Sequence, residues 1–148
     1  MKTADGAEKP RILNSKNQGS SAKRKVLIIE DDKFLLKLYS DKLRRAKFEV
    51  IKAVSGEEGL TKIINMKPDL VVLDLVLPGV SGFDILNDIK LRAKTKNIPV
   101  VILTNLGQES DIKRGLELGA VDYLFKANFS INKLPSIVRK HLKKSKKK

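Results

Sequence analysis

The feature that most constrains this chain is a regular alternation of two kinds of segment from residue 25 onward. Short runs rich in β-branched residues are typical of strands, and the stretches between them space their apolar residues as helices do. Strands that alternate with helices are joined by right-handed crossovers, which gives a parallel sheet covered on both faces. With 148 residues and no internal repeat, the chain predicts a single α/β domain. The predicted strands are 25–30, 49–54, 70–75, 99–104 and 121–125.

Five predicted helices fill the intervals, and a capping box of Ser55 and Glu58 begins the second. The central strands are apolar on both sides, as a sheet covered on both faces requires. In chain order, the apolar markers of the helices are Phe34, Leu35, Leu38 and Leu43; Leu60, Ile63 and Ile64; Phe83, Ile85, Leu86 and Ile89; Ile112, Leu116 and Leu118; and Leu134, Ile137, Val138 and Leu142.

The net charge of +14 is concentrated at the two ends of the chain. Residues 1–25 carry a net +5 and residues 139–148 a net +7, which leaves +2 for the segment between them. Blocks of like charge at termini are usually solvated segments, and weak electrostatic contact with nucleic acid or another polyanion is the alternative. We therefore expect a disordered leader at 1–24, one domain at 25–143 and a basic C-terminal tail at 144–148.

Two absences in the sequence narrow the class of protein. Cysteine is missing, which excludes disulfides and thiolate metal sites and fits a reducing compartment. No apolar run approaches the roughly 20 residues of a membrane span, and the N-terminal region lacks the apolar core of a secretory signal. The expected location is the cytoplasm, with no membrane partner.

An aspartate inside an apolar strand indicates a polar site. Asp74 stands among Val and Leu, and an ionised carboxylate there is costly unless it is paired or binds a metal. Ligands of doubly wound sheets lie beyond the carboxyl ends of the strands. Further polar residues stand at those ends: Glu30, Asp31 and Asp32 after the first strand, Thr104 at the end of the fourth and Lys126 after the fifth.

These side chains would suit a hard cation and a phosphoryl group. Neighbouring carboxylates repel unless a cation intervenes, and Mg²⁺ is bound by a few carboxylates together with water. A hydroxyl and an ammonium opposite them would supply donors and charge neutralisation to a phosphoryl group, with Asp74 as the nucleophile that forms an acyl phosphate. Each residue also has a simpler interpretation: the acids as caps of the first helix, Thr104 as an ordinary strand residue, and Lys126 and His141 as solvated charges.

In their order and spacing, four motifs resemble the receiver domain of bacterial two-component response regulators over residues 25–143. The motifs are VLIIEDD, VVLDLVLPGVSGFDIL, PVVILTN and GAVDYLFK. The resemblance implies a doubly wound (βα)5, flavodoxin-like sandwich whose five-stranded parallel sheet has the strand order 2-1-3-4-5. It also implies that the protein is a stand-alone receiver.

The resemblance implies a phosphoacceptor and a metal site. Asp74 matches the phosphoacceptor, and Pro78 and Gly82 follow it as in the family's loop. Asp32 would begin the first helix rather than bind the metal. The ligands of Mg²⁺, with Mn²⁺ as a substitute, would be Glu30, Asp31, Asp74 and the backbone carbonyl of Val76.

The resemblance also implies a switch, with departures from the family pattern. Thr104 matches the switch hydroxyl, Tyr123 the aromatic that turns inward when Thr104 moves, and Lys126 the lysine that contacts the phosphoryl oxygens. The family usually has proline after that lysine, often with a cis bond, whereas this chain has Ala127, so the bond is trans or the loop is differently placed. Asn105 replaces a small residue and would narrow the pocket or add a donor.

Two apolar residues suggest a long-lived phosphorylated state. In the family, the positions of Val76 and Leu106 flank the path of attacking water. Neither side chain can orient a water molecule as a general base would, so we expect slow self-hydrolysis of the acyl phosphate.

The implied function is a signalling switch and not an enzyme beyond its own phosphorylation and dephosphorylation. A sensor histidine kinase or phosphotransfer protein would phosphorylate it, and the surface of the fourth helix, fifth strand and fifth helix would then favour an unknown output protein or a homodimer. One alternative is a non-phosphorylated scaffold that contacts nucleic acid through its basic tails. Haloacid-dehalogenase-type phosphotransferases need a second Asp where this chain has Val76, and acids after the first strand would repel a flavin phosphate.

Overall fold

The computed structural model describes residues 22–146, which form five strands and five α-helices in alternation. Each predicted strand is present and is one or two residues shorter than predicted. The strands are β1 (Lys25–Ile29), β2 (Glu49–Ala53), β3 (Leu70–Leu73), β4 (Val100–Thr104) and β5 (Asp122–Phe125). The helices are α1 (Lys33–Arg45), α2 (Gly56–Met66), α3 (Gly82–Leu91), α4 (Glu109–Glu117) and α5 (Leu134–Lys146). Two short 3₁₀ turns, Lys126–Asn128 and Ile131–Lys133, join β5 to α5.

The sheet has the strand order β2-β1-β3-β4-β5, and every neighbouring pair is parallel, as predicted. Ile29 of β1 is level with Leu73 of β3. The next residues extend the ladder, because the Asp74 N–H donates to the Ile29 carbonyl (3.1 Å) and the Glu30 N–H to the Ala53 carbonyl (3.0 Å). Glu30 and Asp74 are therefore held by the backbone at the same edge of the sheet.

Alternate strand residues fill two apolar cores, one on each face of the sheet. Leu27 and Ile29 point toward the face covered by α2, α3 and α4, while Val26 and Ile28 point toward the face covered by α1 and α5. All four side chains are fully buried. Burial of each such side chain contributes roughly 1.5–3 kcal/mol, so both faces fix the register that brings the strand ends together.

The first helix buries a different face from the predicted one. Phe34 is 72% and Leu38 41% exposed, whereas Leu36, Tyr39 and Leu43 are buried. The buried set is spaced by three and four residues and follows one helical face, while the predicted set combined two faces. Two other predicted markers are also on the exposed side, Ile64 in α2 and Leu116 in α4.

The predicted capping box at α2 is confirmed for Ser55, while the Glu58 carboxylate reaches one residue further back than predicted. The Ser55 hydroxyl accepts from the Glu58 N–H (3.1 Å), and the Glu58 carboxylate accepts from the Val54 N–H (2.8 Å). The Ser55 hydroxyl thereby satisfies an N–H group that the first turn of the helix leaves free, while the Glu58 carboxylate binds the N–H of Val54, the residue before the N-cap.

The prediction that His141 is a solvated charge is wrong. His141 is only 5% exposed, and its Nε2 lies 2.9 Å from Asp122 Oδ2 at the start of β5. The physical reason is the helical period: His141 falls on the same face of α5 as Leu134 and Val138, and that face packs on the sheet.

The predicted terminal segments lie largely outside the described part of the chain. Only residues 22–24 of the predicted leader at 1–24 are described. In the predicted tail at 144–148, α5 continues to Lys146 and the last two residues are not described. Among the helices of residues 22–146, none is long and apolar enough to cross a membrane.

Candidate functional site

Backbone pairing brings two carboxylates from different strands to one place. Glu30 follows β1 and Asp74 follows β3, and because these strands are neighbours their ends lie side by side. Both residues are buried. They form part of a cleft of about 280 Å³ lined by Glu30, Asp31, Asp32, Leu35, Asp74, Val76, Asn105 and Lys126.

The three acids predicted to bind a metal fit a divalent cation. One oxygen from each of Glu30, Asp31 and Asp74 lies within 4.8 Å of the other two. Oxygen ligands lie about 2.0–2.1 Å from Mg²⁺ and are thus at most about 4.2 Å apart, so the three carboxylates need at most a small shift to bind one ion. Asp31 is exposed, which leaves a path for a hydrated ion. The all-oxygen donor set suits Mg²⁺ or Mn²⁺ rather than a soft metal.

A lysine ammonium lies between the two buried carboxylates. Lys126 Nζ is 2.6 Å from Glu30 Oε1 and 2.8 Å from Asp74 Oδ2, and only 11% of the lysine side chain is exposed. Burial alone would lower the pKa of Lys126, but its hydrogen bonds to Asp74 and Glu30 outweigh burial and raise that pKa. Lys126 is therefore a fixed positive charge, which excludes the interpretation of a solvated loop residue.

Ala127, which follows Lys126, does not prevent the contact of Lys126 with the two carboxylates. The Lys126–Ala127 peptide bond is trans, as are the other peptide bonds of the described segment. Lys126 begins the first 3₁₀ turn after β5, and from there its side chain reaches the ends of β1 and β3.

Glu30 and Asp32 are close in sequence but have different structural roles. Burial raises the pKa of Glu30 above its usual value, against the opposing effects of Lys126 and of the Asp32 N–H. That N–H donates to Glu30 Oε2 (3.0 Å), and the Asp32 carboxylate accepts from the Leu35 N–H (3.1 Å) as the N-cap of α1. The prediction that Asp32 begins the first helix is confirmed.

Thr104 and Tyr123 are linked through the backbone of one residue, which the sequence interpretation missed. Thr104 is fully buried, and its Oγ1 accepts from the Leu106 N–H at 3.4 Å. The Tyr123 hydroxyl donates to the Leu106 carbonyl at 2.5 Å. Burial raises the pKa of Tyr123 to about 12, so this hydroxyl keeps its proton at neutral pH. Thr104 does not line the cleft in this structure, whereas its neighbour Asn105 does.

The positions expected to flank attacking water are apolar and differ in exposure. Val76 lines the cleft and is 53% exposed, and its N–H donates to Asp74 Oδ1 (3.1 Å). Leu106 is partly buried against the core on the α3 side of the sheet. Neither side chain has a group that could take a proton from water.

Tyr39 belongs to the surroundings of the site, although no motif marks it. It is buried on α1, and burial raises its pKa to about 12, with further effects from Lys126, Glu30 and Asp74. The sequence feature that could have identified Tyr39 as buried is its helical spacing from Leu36, which lies on the same buried face of α1.

Gly82 lets α3 begin against the backbone that carries Asp74. The Gly82 N–H donates to the Leu75 carbonyl (3.0 Å). A Cβ at Gly82 would overlap the Asp74 carbonyl oxygen and the Leu75 Cα. Because these neighbours are backbone atoms, a side chain fits only if the segment after β3 moves.

We expect Gly82→Ala to lower the free energy of unfolding by about 2 kcal/mol, since overpacking against backbone costs roughly 1–3 kcal/mol. Urea unfolding measures this loss. A comparison variant is Gly115→Ala, where the new Cβ would meet the end of the buried Ile102 side chain rather than backbone atoms. Equal stability of Gly82→Ala and wild type would show that the close approach is not required.

A family model described as the response regulator receiver domain matches residues 26–139. A curated relative, the DNA-binding dual master transcriptional regulator RpaA of Synechocystis sp., is 38% identical over 121 residues, which cover 82% of this chain and 50% of the relative. The chain spans about half the length of the curated relatives that it matches.

Solved structures give the same match. The Francisella response regulator 1452 receiver domain has a TM-score of 0.75 at 32% identity, covering 82% of this chain and 98% of that chain. The Mn²⁺-bound form of response regulator Rcp1 has a TM-score of 0.72 at 27% identity, covering 80% and 94%.

Proposed function

This chain belongs to the response regulator receiver domain family, and from that membership we propose that it is a phosphorylation-dependent signalling switch with Asp74 as its phosphoacceptor. The observation that carries the proposal is the buried carboxylate pair that shares one lysine. Phosphoryl transfer depends on positioning and on neutralising charge around phosphorus. Lys126 Nζ lies 2.8 Å from Asp74 Oδ2 and supplies one such charge.

Glu30, Asp31, Asp74 and the Val76 carbonyl are the proposed ligands of Mg²⁺. When bound, the ion would neutralise the carboxylates further and orient the oxygens of the phosphoryl group. The Mn²⁺ in the related Rcp1 structure supports this choice of a hard cation.

In the proposed reaction, an Asp74 carboxylate oxygen attacks the phosphorus of a phosphohistidine on a sensor histidine kinase or phosphotransfer protein. The new O–P bond forms as the P–N bond breaks, and the electron pair stays on the donor imidazole, which takes a proton from solvent. Lys126 stays paired with the oxygens that carry the charge. The protein accepts the group without turning over another substrate, so we propose a phosphoacceptor rather than an enzyme.

We propose that phosphorylation is transmitted to the rest of the domain through the backbone of Leu106. A phosphoryl oxygen would draw the Thr104 hydroxyl away from the Leu106 N–H, and the Tyr123 hydroxyl holds the carbonyl of the same residue. Tyr123 lies on β5 and its ring packs beside Gly115 of α4. The α4-β5-α5 surface would then favour an output protein or a homodimer, which needs a bias of only a few kcal/mol.

We also propose a functional unit and a cellular location for this protein. Residues 25–143 form the functional receiver unit, and the protein acts in the cytoplasm, where such kinases have their phosphohistidines.

The test is phosphoryl uptake from acetyl phosphate, followed by intact-mass spectrometry in Mg²⁺ and in EDTA. We expect one phosphoryl adduct with Mg²⁺ and none in EDTA. A protein that gains no adduct with Mg²⁺ would favour the alternative of a non-phosphorylated scaffold.

We expect a slowly hydrolysed acyl phosphate whose half-life Val76→Gln shortens about tenfold, because the amide could orient water beside the phosphoryl group. The adduct is followed by mass after acetyl phosphate is removed. Val121→Gln, at an exposed position on the opposite edge of the sheet, is the matched control. Rapid loss of phosphate from the wild type would contradict the expectation.

A further inference from the structure

The charges of the folded domain are separated between the two edges of its sheet. All five strands are parallel, so their carboxyl ends meet at the acidic cleft and their amino ends meet at the opposite edge. Backbone contacts join the segments at that opposite edge: the Glu49 N–H donates to Arg24 (3.0 Å) and the Asp69 N–H to Lys25 (2.8 Å). The acidic cleft and the segments that enter the strands therefore lie at opposite edges of the sheet.

Exposed cations from several connections gather at this opposite edge. We call them the basic edge, and it consists of Lys47, Lys67, Arg92, Lys94, Lys96 and Lys144. They come from the connections that enter β2, β3 and β4 and from the end of α5.

Two clefts bring together five of the six cations of the basic edge, while Lys47 lines neither. One cleft, of about 470 Å³, is lined by Lys67, Arg92 and Lys94. The other, of about 450 Å³, is lined by Lys96 and Lys144 together with Lys90 and His141. No acidic residue of the described chain lines either cleft. Three acids near this edge are already paired: Asp69 with Arg24 (3.5 Å), Asp88 with Arg92 (2.7 Å) and Asp122 with His141 (2.9 Å). Glu49 is also exposed at this edge and is outnumbered by the surrounding lysines.

The connection between α3 and β4 is held so that its lysines face outward. Lys90 Nζ donates to the carbonyls of Lys96 (3.0 Å) and Ile98 (2.7 Å). Burial lowers the pKa of Lys90, in keeping with its role inside the connection. Lys94 and Lys96 are exposed, so the side chains that a partner could contact are presented by a fixed backbone.

Local backbone preferences explain only some of these lysines. A helix C-terminus favours a cation by about 0.3–1 kcal/mol, but this effect falls off beyond the last turn, and Lys94 and Lys96 follow the end of α3. Lys47 (φ 78°) and Lys67 (φ 50°) have left-handed backbone, where glycine or asparagine is usual. The helix dipole favours a cation at Lys67, the C-cap of α2, and at Lys47, which follows the C-cap of α1, whereas Lys94 and Lys96 have no such local cause.

We propose that the basic edge binds the phosphate backbone of double-stranded nucleic acid. Neighbouring strands lie about 4.8 Å apart, so the edge extends about 20 Å from β2 to β5. A duplex carries one negative charge per about 1.7 Å of its axis, so several phosphates face such an edge at once. The exposed cations have no exposed aromatic beside them to stack on bases, since Phe48 at this edge is buried. Binding is therefore independent of sequence.

The terminal segments add to this surface rather than replace it. The chain enters the domain at Lys25 and leaves it along α5, and both points lie at the basic edge. Residues 1–25 and 139–148 carry net charges of +5 and +7. The acidic cleft faces the other way, so a bound duplex leaves Asp74 accessible, and binding does not depend on phosphorylation.

The experiment measures fluorescence anisotropy of a labelled 20-base-pair duplex with the full chain over about 50–200 mM salt. The edge variant replaces Lys47, Lys67, Lys94 and Lys96 with Gln and leaves both terminal segments intact. We expect its affinity to fall at least about tenfold at the lowest salt, and the slope of log K against log salt to decrease by about 2–4.

A matched control variant changes the same number of charges elsewhere. It replaces Lys33, Lys52, Lys113 and Lys133, which are exposed away from the basic edge, with Gln. We expect its affinity to stay within about threefold of the wild type, and Asp74→Asn to bind the duplex like the wild type.

Three results would overturn the inference. Unchanged binding of the edge variant would mean that the terminal segments alone carry the contact. Equal losses in both quadruple variants would mean that only net charge matters. Binding to phosphatidylserine vesicles without binding to the duplex would identify a membrane as the partner. None of these results depends on phosphoryl uptake.

Discussion

Asp74→Asn abolishes phosphoryl uptake from acetyl phosphate: this is the largest effect we expect. The amide has no anionic oxygen to attack phosphorus. The fold survives because asparagine retains an oxygen that can accept from the Val76 N–H.

The same substitution weakens Mg²⁺ binding. It removes one of the three carboxylate ligands and their shared charge, so we expect the dissociation constant to rise about tenfold or more. Isothermal titration measures the metal, and intact mass measures the adduct. Asp84→Asn, an exposed aspartate in the first turn of α3, is the control that should match the wild type in both. An adduct on Asp74→Asn would assign the phosphoryl group to another residue.

Lys126→Met is expected to lower the free energy of unfolding by about 3 kcal/mol in metal-free buffer at pH 8. Removal of one partner from a buried ion pair leaves an uncompensated charge, which costs roughly 3–5 kcal/mol. Here Glu30 and Asp74 would both lose their nearest cation, with side chains only 3% and 5% exposed. Mg²⁺ should return part of the stability, since it binds the folded state alone.

The loss of unfolding free energy in Lys126→Met should depend on pH in a defined direction. Burial raises the pKa of Glu30 in the folded protein, and the hydrogen bond from Lys126 is the largest effect that opposes this. Without Lys126 the folded-state pKa rises further above the unfolded value. A raised pKa contributes stability that is present at low pH and is lost as pH rises through the folded pKa. The deficit of Lys126→Met should therefore shrink as pH falls from 8 toward 5.

Urea unfolding in EDTA at several pH values measures the deficit. Lys133→Met, an exposed lysine in the following 3₁₀ turn, should differ from the wild type by no more than about 0.5 kcal/mol. A deficit that stays constant or grows toward pH 5 would mean that Glu30 is not the group left uncompensated.

The fold and the proximity of Glu30 and Asp74 could be predicted from general sequence patterns. Apolar runs separated by helical spacing predict parallel strands, and parallel strands bring Glu30 and Asp74 to one edge whatever their neighbours are. Asp74 itself stood out because a charge is costly in an apolar strand. The sequence could predict that Lys126 lies near the acids but not that it contacts both of them, because the segment that follows β5 has no regular helix or strand pattern.

The remaining features depended on packing that no local pattern contains. His141 was predicted to be solvated because its sequence neighbours are lysines, yet its helical face determines its burial. Phe34 was expected in the core, but the orientation of α1 on the sheet placed Tyr39 there. Leu106 was noticed for its side chain, whereas its contacts with Thr104 and Tyr123 use backbone atoms. Every residue except proline offers the same backbone N–H and carbonyl, so such contacts cannot be read from the sequence.

The use of the Leu106 backbone has a consequence for how such a chain can diversify. How long a signal lasts would depend on the side chain at this position, whereas how strongly it is passed on would depend on the peptide group. Every amino acid except proline supplies that N–H and carbonyl. A substitution at position 106 can therefore change the duration of the response without changing its strength, provided that the new residue is not proline.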